Sequence, residues 1–188
     1  EQTAQYLGTE PLMADGTRID IGLNIASVKE EELVGEKYTD LVGLFRTEFM
    51  YMNHSKLPTE EEQFEIYKKV LSTFAPRPVT LRTLDIGGDK TLESLPLPHE
   101  DNPFLGNRAL RLCFARPDLF KVQLRAALRA SVFGNLWLML PMVGSIDDIR
   151  KAKGMIAEAR AELEKEGHKV SDDMKIGIMV EIPSIAMV

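Results

Sequence analysis

Two arginines and a glutamate each follow an apolar run in this sequence, and their types suit the binding of a phosphorylated anion. The runs that precede Arg46, Arg82 and Glu181 have the composition of buried strands. Planar guanidinium groups bind phosphate or carboxylate through paired hydrogen bonds. Two arginines that converge from adjacent strand ends therefore predict a pocket for a small, doubly charged anion. Lys90 and Arg108 are further candidates for the same pocket.

The glutamate indicates a metal ion at the same place. A carboxylate beside a phosphate is repelled unless a divalent cation lies between them, and Mg²⁺ takes one or two carboxylates together with phosphate oxygens. Glu181 is therefore the candidate Mg²⁺ ligand. A site of this composition stabilises a phosphoryl group during transfer.

Simpler interpretations of these residues stay open. Glu48 or Asp85 could pair with Arg46 or Arg82, and the arginines would then serve the fold rather than a ligand. Cys113 falls on an apolar helical face, which predicts a core residue rather than a nucleophile. The histidines lie in polar, loop-like surroundings without metal-ligand spacing and are expected at the surface. They are His54, His99 and His168.

Strands that alternate with helices must position these groups. Apolar or alternating runs predict strands at 19–25, 41–45, from 79 onward, 136–142 and 175–180. Thr59 and Glu62 form a capping box at the start of an amphipathic helix, and Ser27 is expected to cap a short acidic helix. Pro117 predicts the first turn of a later helix.

This alternation predicts an α/β fold. Strands separated by helices imply right-handed crossovers and a parallel sheet. A doubly wound sheet would normally carry a Gly-rich phosphate loop after its first strand, and residues 24–27 (NIAS) do not form one. We therefore predict a partial (β/α)8 TIM barrel, about its first five strands, with the active site at the carboxyl ends of the strands. Residues 1–15 are expected to be a linker or the tail of a preceding domain, and 16–188 the N-terminal part of the barrel.

Composition limits the remaining possibilities. The net charge of −6 argues against a general surface for nucleic acid or anionic membrane. No apolar run approaches the roughly 20 residues that span a bilayer, and the single cysteine fits a reducing cytoplasm. The chain begins without methionine and stops within an apolar run. We therefore expect the chain to be a truncated piece of a longer protein and to hold part of a barrel.

Five stretches together carry a family resemblance. In order along the chain they are GLFRTEF at 43–49, LPTEEEQF at 57–64, RTLDIGGDK at 82–90, EDNPFLG at 100–106 and MVEIP at 179–183. They closely resemble enzyme I of the bacterial phosphoenolpyruvate:sugar phosphotransferase system. The resemblance runs from about Ile19 to the end of the chain. Pyruvate phosphate dikinase and phosphoenolpyruvate synthase share a similar Arg-Thr-Glu motif, but the RTLDIGGDK stretch is more similar to enzyme I.

The resemblance implies a phosphoenolpyruvate-binding barrel in which Arg46 and Arg82 contact the substrate phosphate. It also implies that Arg108 and Lys90 support the pocket and that Glu181 binds Mg²⁺. In this family the phosphoryl group passes to a histidine on a separate domain and then to the carrier protein HPr, and the barrel domain forms a homodimer. The family's phosphorylated histidine and its proton-donating cysteine have no counterpart in this sequence.

Two alternatives to a sugar-transport phosphotransferase remain at this stage. The chain could belong to the dikinase or synthase branch, or it could be a non-catalytic module that senses phosphoenolpyruvate. In either case the 188 residues are expected to bind an anion weakly and to be inactive alone.

Overall fold

Five parallel strands form one sheet in the order in which they occur along the chain. The computed structural model describes residues 6–52, 55–87 and 94–188. The strands are β1 (Gly22–Ile25), β2 (Leu41–Arg46), β3 (Pro78–Arg82), β4 (Asn135–Leu140) and β5 (Lys175–Ile178). Every pair of neighbours is parallel. The predicted α/β fold with a parallel sheet is therefore confirmed.

The strand order separates two kinds of α/β fold. In a doubly wound sheet the order reverses partway, whereas in a (β/α)8 barrel each new strand adds beside the previous one. The order β1-β2-β3-β4-β5 contains no reversal. It is compatible with the first five units of a barrel, and β1 and β5 are the two edges of the described sheet.

Six helices connect or flank the strands within the described ranges. They are α1 (Glu30–Leu33), α2 (Phe49–Met52), α3 (Glu60–Phe74), α4 (Ala109–Ala115), α5 (Pro117–Ala130) and α6 (Ile146–Lys165). The predicted capping box of α3 is present, since Thr59 Oγ1 accepts from the Glu62 N–H and the Glu62 side chain accepts from the Thr59 N–H. Pro117 is the first residue of α5, as predicted.

The long helices α3, α5 and α6 pack together on the outside of the sheet. Salt bridges tie their surfaces together, because Arg125 on α5 contacts both Glu60 on α3 and Glu166 beside the end of α6. Beneath them lies one apolar core, whose largest fully buried side chains are Tyr51, Tyr67, Phe45, Phe74 and Phe120. Cys113 is also buried in this core, which agrees with its predicted position.

One predicted cap is wrong. The N-cap position of α1 is occupied by Lys29 rather than Ser27, and the Lys29 side chain makes no capping hydrogen bond. Ser27 instead donates its hydroxyl to Glu32 Oε1, and its N–H together with that of Ala26 donates to Glu32 Oε2. The Glu32 carboxylate thus folds back onto the end of β1.

The first strand is shorter than its alternation predicts. It begins at Gly22 rather than at Ile19, because the Ile21 N–H donates to the Asp40 carboxylate rather than to a strand. The fourth strand stops at Leu140, where Pro141 offers no N–H and Met142 has a positive φ of 54°. Among the helices of the described ranges, none combines the length and the apolar character that crossing a bilayer requires.

Candidate anion site at the carboxyl edge of the sheet

Arg46 and Arg82 are direct neighbours across two strands. Arg46 ends β2 and Arg82 ends β3, and their Cα atoms are register partners. The same row continues to Met139 on β4 and Gly177 on β5. The predicted convergence of the two arginines at one sheet edge is therefore present in the structure.

Arg82 is held between two carboxylates. Its Nη2 donates to Glu48 Oε1 at 2.6 Å, and its Nη1 lies 3.0 Å from Asp85 Oδ2. The side chain is only 10% exposed, so these pairs are largely shielded from water. Its Nε has no hydrogen-bond partner within the described residues, and neither has Glu48 Oε2.

Asp85 also joins Arg108 to this group. Arg108 Nη2 and Nε donate to Asp85 Oδ1 at 3.1 and 3.4 Å, and the guanidinium stacks 4.8 Å from the centre of the Phe104 ring. The backbone turns sharply at the next residue, where Ala109 has a φ of 50° and donates its N–H to the Ile86 carbonyl. Arg108, which immediately precedes α4, thus contacts Asp85 just beyond the end of β3.

Arg46 has a different environment from Arg82. Its guanidinium lies 4.9 Å from the centre of the Phe49 ring, and no carboxylate of the described residues is within 4.0 Å of it. It lines a cavity of about 400 Å³ at the ends of β1 and β2, together with Lys29 and Glu32. Hydrogen bonds, first from the Ala26 N–H, lower the pKa of Glu32, and the charge of Arg46 lowers it further.

Glu181 lies beyond β5 on the same edge and is exposed to solvent. One carboxylate oxygen, Oε1, accepts from the Met142 N–H at 2.6 Å. Met142 carries a positive φ, which is uncommon for a non-glycine residue and is often associated with functional sites. A second hydrogen bond links the segments that follow β4 and β5, since the Ser184 hydroxyl donates to the Gly144 carbonyl.

The residues that the sequence predicted are therefore brought together only in part. One edge of the sheet holds Arg46, Arg82 and Arg108. Arg82 pairs with Glu48 and Asp85, as the simpler interpretation of this arginine predicted. Lys90 and His54 lie outside the described residues. Around Glu181, the described part of the chain contains no group of three or more His, Cys, Asp or Glu side chains that could hold a metal ion.

Two buried polar residues near the arginines were missed. Thr47 directly follows Arg46, and Gln123 lies on α5 among Phe120, Leu124 and Ala127. For Gln123, the sequence did contain a signal, namely a polar residue within the apolar face of a predicted helix. Among the described residues, Arg82 and Arg108 share the carboxylates of Glu48 and Asp85, whereas Arg46 lies apart from these ion pairs.

The fold and this edge define an α/β protein that places two arginines at the carboxyl ends of adjacent parallel strands. The family model described as "PEP-utilising enzyme, PEP-binding domain" matches residues 1–188, and the chain belongs to this family.

Curated relatives carry a more specific name. The chain is 52% identical over 177 residues to "Phosphoenolpyruvate-protein phosphotransferase" of Staphylococcus carnosus, covering 94% of this chain and 31% of that protein. It is 49% identical over 185 residues to the protein of the same name from Priestia megaterium, covering 98% and 32%. For the Staphylococcus aureus protein the identity is 50% over 177 residues, covering 94% and 31%. The chain thus spans about a third of the length of these relatives.

Proposed function

We propose that this chain binds phosphoenolpyruvate as part of a protein that passes the phosphoryl group to a histidine and then to the carrier protein HPr. The pair of register-matched arginines is the observation that carries the proposal. The names of the relatives support this reaction rather than the dikinase branch. On this proposal the full-length gene product acts in sugar uptake, works in the cytoplasm and forms a homodimer.

The arginines bind the substrate phosphate. Arg46 has no ion pair within the described ranges, so its guanidinium donates directly to the phosphate. Arg82 is already oriented by Glu48 and Asp85. Because an oriented guanidinium loses little conformational freedom on binding, the pairing favours a preformed phosphate site. Arg108 acts behind them by holding Asp85 in place.

Glu181 fits a role as one ligand of Mg²⁺. Its carboxylate is exposed at the same edge, and the hydrogen bond from Met142 fixes Oε1. Mg²⁺ commonly binds to one or two carboxylates and completes its shell with water and phosphate oxygens, so one exposed glutamate beside the substrate suits it. When bound, the ion would neutralise charge on the phosphoryl group. The protein's own contribution is to hold the carboxylate toward the site.

The 188 residues alone are expected to bind the substrate without transferring its phosphoryl group. None of the three histidines in the sequence lies in the Gly-rich, Ser-His-containing motif that the family uses as phosphoryl acceptor. A role as a phosphoenolpyruvate sensor would require the same binding and no transfer in the full-length gene product.

Calorimetric titration tests the binding step. The chain is titrated with phosphoenolpyruvate and Mg²⁺ beside the variants Arg82→Ala and Arg129→Ala. Arg129 is a matched control because it also bridges two carboxylates, Glu60 and Glu61, but lies on the outer surface of α5. We expect saturable binding that Arg82→Ala abolishes and Arg129→Ala preserves. Absence of binding in a folded wild-type chain would contradict the binding role of this chain.

The transfer step is tested on the full-length gene product with labelled phosphoenolpyruvate. Label on HPr without added nucleotide supports the phosphotransferase. Transfer that requires nucleotide would indicate the dikinase branch, and binding without any transfer would indicate a sensor.

A further inference from the structure

Gln123 is a polar residue buried in the core of the protein. Only 1% of it is exposed, although its neighbours on the buried face of α5 are apolar. Burying an amide is costly unless all of its polar atoms find partners. The partners of this side chain therefore indicate what the residue does.

All three hydrogen bonds of the Gln123 amide are directed at neighbouring buried groups. Its Oε1 accepts from the Leu84 N–H at 2.8 Å, and its Nε2 donates to Thr47 Oγ1 at 3.0 Å and to the Tyr67 hydroxyl at 3.2 Å. A main-chain N–H can only donate, so the carbonyl oxygen of the amide must face Leu84. The orientation of Gln123 is thereby fixed.

Two of these bonds reach the segments that carry the arginines. Thr47, which directly follows Arg46, donates its hydroxyl to the Arg82 carbonyl at 2.8 Å. Leu84 lies two residues after Arg82 on the other segment. One amide from a helix therefore holds the end of β2 and the end of β3 at a fixed separation.

The third bond anchors the amide to a further buried network. The Tyr67 hydroxyl donates to Gln63 Oε1 at 3.0 Å, and Gln63 Nε2 donates to the Pro58 carbonyl. Burial raises the pKa of Tyr67, so its hydroxyl remains a donor at neutral pH. Because each N–H and O–H hydrogen of this network is directed at one acceptor, the network has a single orientation and resists displacement.

We propose that Gln123 is a positioning residue that sets the spacing of Arg46 and Arg82 for the substrate phosphate. This inference rests on the proposed function of the arginine edge. An apolar side chain could fill the same space, but it could not define the separation of two strand ends through directed bonds. Displacement of a binding group by about 1 Å can reduce catalysis by about 10²-fold.

A pair of matched glutamine variants tests the proposal in the full-length gene product. Gln123→Met removes the bonds to the strand ends at similar volume. Gln63→Met removes an equally buried amide of the same network, but among the described residues the Gln63 side chain bonds only to Tyr51, Tyr67 and Pro58. Both variants are expected to lower the unfolding temperature, which is measured by calorimetry.

Of the two methionine variants, only Gln123→Met should weaken phosphoenolpyruvate binding, by about tenfold or more in Kd, with a matching rise in KM. Gln123→Glu keeps the acceptor for Leu84 but has no amide N–H to donate to Thr47, so a partial loss is expected. Similar Kd changes in Gln123→Met and Gln63→Met would overturn the proposal, since the effect would then follow from stability alone.

A measurement without ligand separates this inference from the proposed function. If the wild-type protein bound no phosphoenolpyruvate, the proposed function would fail, and NMR would still decide the role of Gln123. Gln123→Met should speed hydrogen exchange of the Leu84 N–H and shift the Arg82 Nε–H resonance, whereas Gln63→Met should leave both near their wild-type values. An unchanged Arg82 resonance in Gln123→Met would refute the positioning role.

Discussion

Arg46 lies opposite Arg82 because β2 contains one extra residue before its end. Val42 pairs with Val79, so an unbroken register would place Arg46 beside Thr83. The register shifts between Val42 and Phe45, and β1 shows a shift at the same level of β2. A bulge of this kind redirects the side chains that follow it. Here it brings the two arginines to the same level of the sheet.

Replacing Arg46 by lysine tests whether the fork of the guanidinium is needed. Arg46→Lys keeps the positive charge but cannot make two parallel hydrogen bonds to one phosphate, so we expect about a tenfold weaker phosphoenolpyruvate affinity. Calorimetric titration measures the change. Arg150→Lys is the control, because Arg150 is exposed on α6 and its one ion pair within the described part of the chain is with Asp147. Equal affinity in the wild type and Arg46→Lys would show that charge alone suffices.

Asp85 is expected to contribute strongly to stability. Asp85→Asn removes the charge that compensates Arg82 and Arg108, whose side chains are 10% and 7% exposed. Breaking such a buried pair costs about 3 kcal/mol of unfolding free energy. Urea denaturation measures this loss. Asp172→Asn breaks the more exposed pair with Arg160 and should cost about 1 kcal/mol or less. A similar cost in both variants would show that the Asp85 pairs are not shielded from water.

Acid unfolding should depend on Glu32. Its pKa in the folded chain lies below the ordinary value of 4.5, chiefly because the Ala26 N–H donates to it. The contribution to stability is therefore full above that value and is lost as the pH falls through the lower, folded-state pKa. Glu32→Gln should flatten the acid side of the stability curve, measured by urea midpoints from about pH 6 to about pH 3. Glu31→Gln, at the exposed neighbouring position, is the matched control.

Cys113 should be unreactive in the folded protein. Burial raises the pKa of its thiol, and the side chain is inaccessible to reagents. We expect an aromatic disulfide reagent to label it about 10²-fold or more slowly than in denaturant. A Cys113→Ala, Val34→Cys variant provides the comparison, since Val34 is 76% exposed and its replacement should react at once. Rapid labelling of native Cys113 would indicate frequent opening of the core.

Local patterns in the sequence predicted the elements well. Apolar runs located all five strands, and the Thr59 capping box located the start of α3, because hydrophobic period and cap chemistry are properties of neighbouring residues. The arginines and Asp85 were also found, since strand ends of a parallel sheet share one edge. The prediction that Lys90 supports the site stays a prediction.

The sequence alone therefore determined the parallel α/β fold, the family and the position of both arginines at strand ends; that they bind phosphate stays a prediction. Only the tertiary structure decided that Arg82 is shared by Glu48 and Asp85, and that Gln123 on α5 reaches the ends of β2 and β3. The bulge that matches Arg46 with Arg82 was equally invisible, because register depends on which residue lies opposite on another strand. Buried hydrogen bonds and strand register join residues far apart in the chain, so the patterns of neighbouring residues do not encode them.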